Sequence, residues 1–226
     1  MIQNRISRIH YITQNMLHKT HQQLALDACE AGVDLVQLRL KDMERLEMLD
    51  IALETQKICD HFDATLIIND HLDIALEIDA DGVHLGNGDI DHKTARKELG
   101  INKIIGATAY NEIEAKFHQS NGIADYIGLG TFRKTRTKPE IKDFLSLQQI
   151  KALIDKQKQT YENPIPFLVI GGIRLEDIKS LLSVGIYGIA IASLINESNN
   201  KPLTYKTIQN AFQESGITLN TLKTGN

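Results

Sequence analysis

The chain has 226 residues, of which 42% are hydrophobic and 24% are charged. This balance is typical of a globular domain and argues against a disordered chain. Lys and Arg total 25 against 29 Asp and Glu, so the formal net charge is -4. A weakly acidic chain argues against nucleic acid as the main partner.

The cysteines, Cys29 and Cys59, lack the spacing of a zinc site or a redox pair. We expect both to be buried, reduced thiols, as in cytoplasmic proteins. The first residues lack the apolar core of a signal peptide, and no apolar run approaches the ~20 residues that a membrane-spanning helix needs. The sequence therefore predicts a cytoplasmic protein without a membrane partner.

Short apolar runs alternate with amphipathic stretches along the chain. The predicted strands are Ile9–Thr13, Val33–Leu40, Thr65–Ile68, Gly82–Leu85, Lys103–Ala107, Tyr126–Leu129, Pro166–Ile170 and Gly188–Ala192. The predicted helices are Thr20–Ala31, Glu44–His61, His71–Ile78, Lys93–Leu99, Glu112–Ser120, Leu145–Lys156, Arg174–Ser183 and Thr204–Glu214. Such alternation predicts parallel strands with crossover helices.

Repeated strand–helix units in roughly 200 residues fit a small (β/α)8 TIM barrel. We predict an α/β fold with one barrel domain over residues 1–217 and a polar tail at 218–226. A doubly wound open sheet is the alternative. In a barrel of this kind the active site lies at the carboxyl ends of the strands, so those ends are where functional residues are expected.

Gln37, Arg39 and Lys41 share one face of the second predicted strand, because side chains alternate with a period of two. We expect this face to point into the barrel, while Val36 and Leu38 pack against helices. An amide and two cations at a barrel mouth are unfavourable without an anionic partner, so the pattern predicts a phosphate ligand. The alternative is the solvated polar face of an edge strand.

Acidic side chains follow the next two strands. Asn69 and Asp70 end the third strand, and Asp89 follows the fourth. Neighbouring strands lie roughly 5 Å apart, so the two carboxylates could hold one Mg2+ together with substrate phosphates. Alternatively, Asp70 caps a helix and Asp89 is a turn residue. Beside Arg39 and Lys41, we favour the metal site.

Two further polar residues lie on the fourth and fifth strands. His84 stands in an apolar run, and we interpret it as a hydrogen-bonded core residue rather than a catalytic one. Thr108 could donate a hydrogen bond to an anion, or could cap the helix that begins near Asn111.

The segment after the sixth strand, Gly128–Pro139, alternates hydroxyl groups and cations behind a glycine-rich start. Backbone N–H groups, threonine hydroxyls and lysine in such a loop can wrap a polyanion. The alternative is a solvated basic loop. We expect Arg133, Lys134 and Arg136 to face solvent individually.

The last two strands end in Gly171-Gly172 and in Ala192-Ser193. Loops seven and eight of such barrels often bind a phosphate group, because glycine lets the backbone approach and a helix start supplies donors. A tight turn is the alternative interpretation of the glycine pair. Together the two loops predict a monophosphate site.

These motifs, in their order, resemble the thiamine phosphate synthase family. The residues that carry the resemblance are Gln37-Leu38-Arg39-Leu40-Lys41, Asn69-Asp70, Asp81–Gly86 with Asp89, Thr135–Lys138 and Gly171-Gly172-Ile173. The resemblance extends from about Ile9 to Ile195. It implies a TIM barrel that joins hydroxymethylpyrimidine diphosphate to thiazole phosphate with Mg2+, giving thiamine phosphate and pyrophosphate.

The resemblance also implies a role for each matching residue. Asp70 and Asp89 would hold Mg2+. The residues implied for the pyrimidine diphosphate are Gln37, Arg39, Lys41, Asn69 and Lys138. The residues implied for the thiazole phosphate are Thr135, Thr137, Gly172, Ala192 and Ser193. The expected catalytic groups are Arg39, Lys41, Thr108 and Lys138.

The chain departs from the family pattern at three places. Thr108 replaces the usual serine, Thr131–Lys134 replaces a proline-bounded apolar pair, and Tyr110 stands where histidine is frequent. One alternative function is that of the related thiazole tautomerases, which rely on that histidine. Another is a non-catalytic binder of thiamine precursors. The expected partners are small-molecule substrates, and the sequence leaves a homo-oligomer open.

Overall fold

The structure, a computed structural model, describes residues 6–135 and 143–219. Its strands are β1 (Ile9–Ile12), β2 (Leu35–Leu38), β3 (Thr65–Asn69), β4 (Gly82–Leu85), β5 (Ile104–Ala109), β6 (Tyr126–Leu129), β7 (Phe167–Ile170) and β8 (Gly188–Ile191). Each strand pairs in parallel with the next, and β8 pairs with β1 to close the barrel. The predicted TIM barrel is confirmed, and the open-sheet alternative is wrong.

Helices follow the strands along the described part of the chain. They are α1 (His21–Glu30), α2 (Arg45–His61), α3 (Leu72–Glu77), α4 (His92–Leu99), α5 (Glu112–Asn121), α6 (Leu147–Thr160), α7 (Ile178–Ser183), α8 (Ser193–Asn196) and α9 (Lys201–Glu214). A 3-10 helix, Leu175–Asp177, precedes α7 where one continuous helix was predicted. The short α8 directly after β8 was not predicted.

Local side chains set where several helices begin. Thr20 and Ser146 form capping boxes with Gln23 and Gln149, so hydroxyl and amide oxygens accept the first free N–H groups of α1 and α6. Asn111 caps α5 by accepting from the Glu114 N–H. Caps of this kind stabilise a helix by about 1 kcal/mol each.

Strand side chains alternate between an inner and an outer core. The inner core fills the barrel and contains Ile6, Leu35, Ile67, Ile104, Tyr126 and Leu168. Val36 and Leu38 belong to the larger outer core between strands and helices. Gln37 is 3% exposed and bonds to Tyr126 of the inner core, so the inward orientation predicted for Gln37 is confirmed.

The second strand is shorter than predicted, which changes how two cations are placed. It ends at Leu38 rather than Leu40. The Arg39 N–H donates to the Thr13 side-chain hydroxyl at 3.0 Å instead of to a backbone carbonyl, so the strand ladder stops there. Arg39 and Lys41 therefore lie on the loop after β2, and the strand period does not fix where their side chains point.

Cys29 and Cys59 are both buried and unpaired, as predicted. Among residues 6–135 and 143–219, no helix combines the length and apolar character that crossing a membrane requires.

Candidate active site

The parallel barrel brings the carboxyl ends of its strands to one rim, which we call the mouth. Lys41, on the loop after β2, forms an ion pair with Asp70, which directly follows β3. The Asp70 side chain is 16% exposed and the Lys41 side chain is 40% exposed, so the carboxylate is largely shielded from water while the lysine reaches solvent. Two elements that are separate in sequence are thereby joined at the mouth.

Asp70 is held by its backbone as well as by Lys41. Its N–H donates to the His84 carbonyl at 2.8 Å, and its φ angle of 68° lies in the left-handed region that non-glycine residues seldom adopt. His71, not Asp70, occupies the cap position of α3. The alternative in which Asp70 serves as that cap is therefore wrong.

Asp89, on the loop after β4, hydrogen-bonds to Asp70. It also accepts from the Gly86 N–H at 2.7 Å, which fixes the carboxylate in a turn. Asp89 is therefore a turn residue and also part of the mouth. The sequence prediction that the two acids meet is correct.

The pKa values of the two carboxyl groups shift in opposite directions. Burial alone raises the pKa of Asp70, but hydrogen bonds from Lys41 and Asp89 outweigh it, and the net pKa falls below its ordinary value. Burial and the hydrogen bond with Asp70 raise the pKa of Asp89. Asp89 is thus easier to protonate than Asp70, as expected where two like charges lie close together. A divalent cation would relieve the same repulsion.

These oxygens suit a hard cation such as Mg2+, which typically takes one or two protein carboxylates and leaves its other positions to water and phosphate. Within the described residues there is no group of three or more His, Cys, Asp and Glu side chains arranged to hold a metal.

The backbone N–H of Arg39 is hydrogen-bonded to Thr13, which directly follows β1. The sequence analysis missed this contact. The Thr13 hydroxyl, which is fully buried, accepts from the Arg39 N–H and lies 2.8 Å from His21 Nδ1. His21 Nε2 lies 3.0 Å from Asn15 Oδ1. The position of Thr13 directly after β1 was the available signal, since strand ends line the mouth.

A second polar cluster lies deeper, below the mouth. His84 Nδ1 is 3.0 Å from the Tyr126 hydroxyl, and His84 Nε2 is 2.9 Å from the Thr108 hydroxyl. His84 is 8% exposed, so its interpretation as a hydrogen-bonded core residue is confirmed. Asn111 caps α5, so the cap alternative for Thr108 is wrong.

Asn69 is the last residue of β3 and is 6% exposed. It stands level with His84 in the register between β3 and β4. The sequence-predicted residues on β2 to β5 therefore occupy consecutive strands of one sector of the barrel.

On the opposite side of the mouth, the loop that follows β6, which we call loop six and which is described for residues 130–135, is hydrogen-bonded to the end of β7. The Phe132 N–H donates to the Ile170 carbonyl at 2.9 Å, and the Arg133 N–H donates to the Gly171 carbonyl at 3.0 Å. Arg133 and Lys134 are exposed, as predicted. Arg133 also forms a two-pronged ion pair with Asp177, a buried residue that the sequence analysis did not single out.

Gly171 and Gly172 meet loop six so closely that side chains do not fit. Their φ angles are 106° and 58°. A Cβ at Gly171 would lie 2.3 Å from Thr131 Cγ2, and one at Gly172 would lie 2.9 Å from Arg133 Cβ. The pair therefore does more than form a tight turn, because it permits two loops to pack backbone against backbone.

The remaining predicted residues lie on the same side of the mouth. Thr135 is half-buried. Ala192 and Ser193 are half-buried at the start of α8, directly after β8. Because β7 and β8 pair, the segment after β8 that carries Ala192 and Ser193 lies beside the loop after β7 that carries Gly172. Arg136, Thr137 and Lys138 lie outside the described residues.

Comparison with known proteins identifies relatives over most of the chain. The family model described as thiamine monophosphate synthase matches residues 9–195. The thiamine-phosphate synthase of Flavobacterium johnsoniae is 37% identical over 197 residues, covering 87% of this chain and 92% of the relative. That of Halalkalibacterium halodurans is 35% identical, covering 93% of this chain and 97% of the relative.

Solved structures agree with the sequence relatives. The thiamine phosphate pyrophosphorylase of Pyrococcus furiosus superposes with a TM-score of 0.79 at 26% identity, covering 95% of this chain and 99% of that one. A 3-hexulose-6-phosphate synthase reaches a TM-score of 0.66 at 17% identity, and that likeness concerns the barrel fold alone.

Proposed function

The chain belongs to the thiamine monophosphate synthase family, and on that premise we propose how its barrel mouth carries out the coupling reaction. It is an enzyme, a transferase of thiamine biosynthesis. In the proposed reaction, 4-amino-2-methyl-5-hydroxymethylpyrimidine diphosphate reacts with thiazole phosphate to give thiamine phosphate and pyrophosphate. The observation that supports this best is the Lys41–Asp70–Asp89 cluster, which combines a cation with two carboxylates.

We assign the diphosphate to the side of the mouth that carries this cluster. Asp70 and Asp89 would hold Mg2+, which supplies positive charge against the negative charge growing on the leaving group. Arg39, Lys41 and Lys138 supply further positive charge, and Gln37, Asn69 and Thr108 supply polar contacts. Such preorganised groups lower the barrier because their charges need not reorganise during the reaction.

The substitution is proposed to be dissociative. The bond between the pyrimidine methylene carbon and the diphosphate oxygen breaks first, and the oxygen keeps the electron pair. The electron-rich aminopyrimidine bears the resulting positive charge, and the thiazole nitrogen then forms the new carbon–nitrogen bond. No protein nucleophile is needed, so the residues bind, orient the two rings and exclude the water that would capture the cation.

We assign the thiazole phosphate to the opposite side of the mouth. Thr135, Thr137, Gly172, Ala192 and Ser193 would surround its phosphate group with backbone and hydroxyl donors. The close packing of Gly171 and Gly172 on loop six supports this assignment, since it fixes the backbone of both loops. The proposed cellular setting is the cytoplasm, in keeping with the unpaired buried thiols of Cys29 and Cys59.

The test is one incubation of the purified chain with both substrates and Mg2+, followed by oxidation and thiochrome fluorescence. We expect a signal that requires both substrates and that EDTA abolishes. Product without dependence on a divalent ion would contradict the metal assignment. Conversion of the unsaturated thiazole isomer without coupling would instead favour the tautomerase alternative, and binding without turnover would favour the non-catalytic one.

A further inference from the structure

A continuous chain of hydrogen bonds runs through the barrel interior to Thr108, close to the carboxyl end of β5. Gln37 Nε2 donates to the Tyr126 hydroxyl at 3.4 Å. That hydroxyl is 3.0 Å from His84 Nδ1, and His84 Nε2 is 2.9 Å from the Thr108 hydroxyl. The four residues come from β2, β6, β4 and β5, so the barrel must close before the chain of bonds exists.

Two glycines give this chain of bonds its room and fix its geometry. A Cβ at Gly106, which lies between His84 and Tyr126 in the strand register, would stand 2.2 Å from Tyr126 Cζ and 2.4 Å from His84 Nδ1. A Cβ at Gly128, level with Thr108, would stand 3.2 Å from His84 Cε1. The His84 and Tyr126 rings consequently stack at 5.5 Å with an interplanar angle of 26°.

The direction of these bonds follows from the donors available. Burial raises the pKa of Tyr126, so its hydroxyl stays protonated and needs an acceptor for the hydrogen bond that it donates. The Gln37 amide donates to the tyrosine oxygen, which leaves His84 Nδ1 as the acceptor for the tyrosine proton among the bonds of the described residues. A neutral imidazole that accepts at Nδ1 carries its own proton on Nε2.

His84 Nε2–H then donates to the Thr108 oxygen, and the Thr108 proton is left to be donated elsewhere. With the opposite tautomer, protonated at Nδ1, His84 would accept the hydrogen bond of Thr108 at Nε2. The buried tyrosine hydroxyl would then have no acceptor at Nδ1. A buried donor without a partner costs about 1–3 kcal/mol, which favours the first arrangement.

We infer that His84 is a positioning residue, oriented by Tyr126, that makes Thr108 a hydrogen-bond donor toward the substrate. This inference rests on the proposed function, in which the Thr108 hydroxyl contacts the diphosphate. A donor that strengthens its bond as negative charge builds up on the leaving group acts mainly on kcat, not on ground-state binding.

The first test is a double-mutant cycle with Tyr126→Phe and Thr108→Val, measured by the rate of thiamine phosphate formation. We expect Tyr126→Phe alone to lower kcat about tenfold, equivalent to about 1.4 kcal/mol, with KM for the pyrimidine diphosphate within about twofold of wild type. In the Thr108→Val background, the same change should lower kcat by less than about twofold. The chain of hydrogen bonds through Gln37, Tyr126 and His84, which we call the relay, then has no hydroxyl to orient.

Tyr187→Phe is the matched control. Tyr187 also packs against the inner core, and its hydroxyl donates to the Ile6 carbonyl at 2.7 Å, but it does not belong to the relay. We expect its kcat to match the wild type. Equal losses from Tyr126→Phe in both backgrounds would overturn the inference, since they would indicate a general effect on packing.

The second test reads the tautomer directly, without any turnover. Protonated and bare imidazole nitrogens have well-separated 15N chemical shifts, and a His84→Gln variant identifies the His84 signals by their loss. We expect Nε2 to be protonated and Nδ1 to be bare in the wild type. A proton on Nδ1 would overturn the inference. Failure of the wild type to form thiamine phosphate would instead contradict the proposed function and leave this spectrum readable.

Discussion

The two sides of the barrel mouth are built by different means. The carboxylate side, formed by Arg39, Lys41, Asn69, Asp70 and Asp89, depends on charged and polar side chains at the ends of β2 to β4. The glycine side, formed by Thr135, Gly171, Gly172, Ala192 and Ser193, depends on close backbone packing between loop six and the end of β7. The first side is set by electrostatics and the second by shape.

This difference teaches that the two sides should fail in different ways. Under the proposed function, removing a charge on the carboxylate side would leave the backbone in place but take away stabilisation of the leaving group. Adding an atom on the glycine side leaves the charges in place but displaces a loop. Turnover and substrate affinity therefore report on different sides of the mouth.

The largest effect is expected from Asp70→Asn or Asp89→Asn, which keep the side-chain shape and remove one charge. We expect kcat for coupling to fall at least about 100-fold, as when a preorganised electrostatic contact is lost. The melting temperature should fall less for Asp89→Asn than for Asp70→Asn, because the pKa of Asp89 is raised whereas Lys41 lowers that of Asp70. Asp50→Asn, at an exposed position on α2, is the control. Near-normal turnover in either variant would contradict the metal assignment.

An intermediate effect is expected from Gly172→Ala on the glycine side. The new Cβ would lie 2.9 Å from Arg133 Cβ and 3.0 Å from the Lys134 carbonyl, so loop six must move. We expect KM for thiazole phosphate to rise about tenfold, equivalent to about 1.4 kcal/mol, while kcat at saturation changes less than threefold.

Gly122→Ala is the matched control for that experiment. Gly122 has a similar φ of 63°, but a Cβ there meets nothing within 4 Å. The control therefore carries the backbone strain without the collision, and its KM should equal the wild-type value. An equal rise in KM in both variants, or a loss of kcat without a change in KM, would contradict the division of the mouth into two sides.

The smallest effect is expected from Arg133→Gln, which removes the ion pair with Asp177. Because Arg133 is 43% exposed, we expect the free energy of unfolding to fall by less than about 1 kcal/mol at pH 7. KM for thiazole phosphate should rise only about twofold, since the backbone bonds between the loops remain and each such bond contributes about 1 kcal/mol.

The contribution of this ion pair should depend on pH. Burial alone raises the pKa of Asp177, but Arg133 and the Arg174 N–H outweigh it and hold the pKa below its ordinary value of 3.8. A carboxylate with a lowered folded-state pKa stabilises the fold above its unfolded pKa, and that stability is lost as pH falls. Urea unfolding at pH 7 and at a pH well below 3.8, near the lowered folded-state pKa of Asp177, should therefore show the wild type and the variant converging. A constant gap would contradict the assignment.

Much of the carboxylate side could be predicted from the sequence. Asp70 and Asp89 each follow an apolar strand, and parallel strands end at one rim, so order along the chain translates into neighbourhood at the mouth. The length of β2 could not be predicted this way. Its end depends on a hydrogen bond from Arg39 to Thr13, a residue directly after another strand.

The glycine side shows the limit of local patterns. Glycine at 171 and 172 signalled a close approach, but the sequence did not say what approaches. The answer is loop six, whose Arg133 pairs with Asp177 44 residues later in the chain. Likewise, His84 was correctly interpreted as a core residue, while its partners Tyr126 and Thr108 became evident only in the closed barrel.

The alternation of strands and helices, the faces of β2 and the carboxylates at strand ends were all determined by the sequence, because each depends on periodicity within a few residues. Tertiary structure alone decided which side chains touch across the barrel: the hydrogen bonds of His84 with Tyr126 and Thr108, and the packing of loop six on β7. Those contacts join residues brought together by closure of the barrel, and no local spacing encodes them.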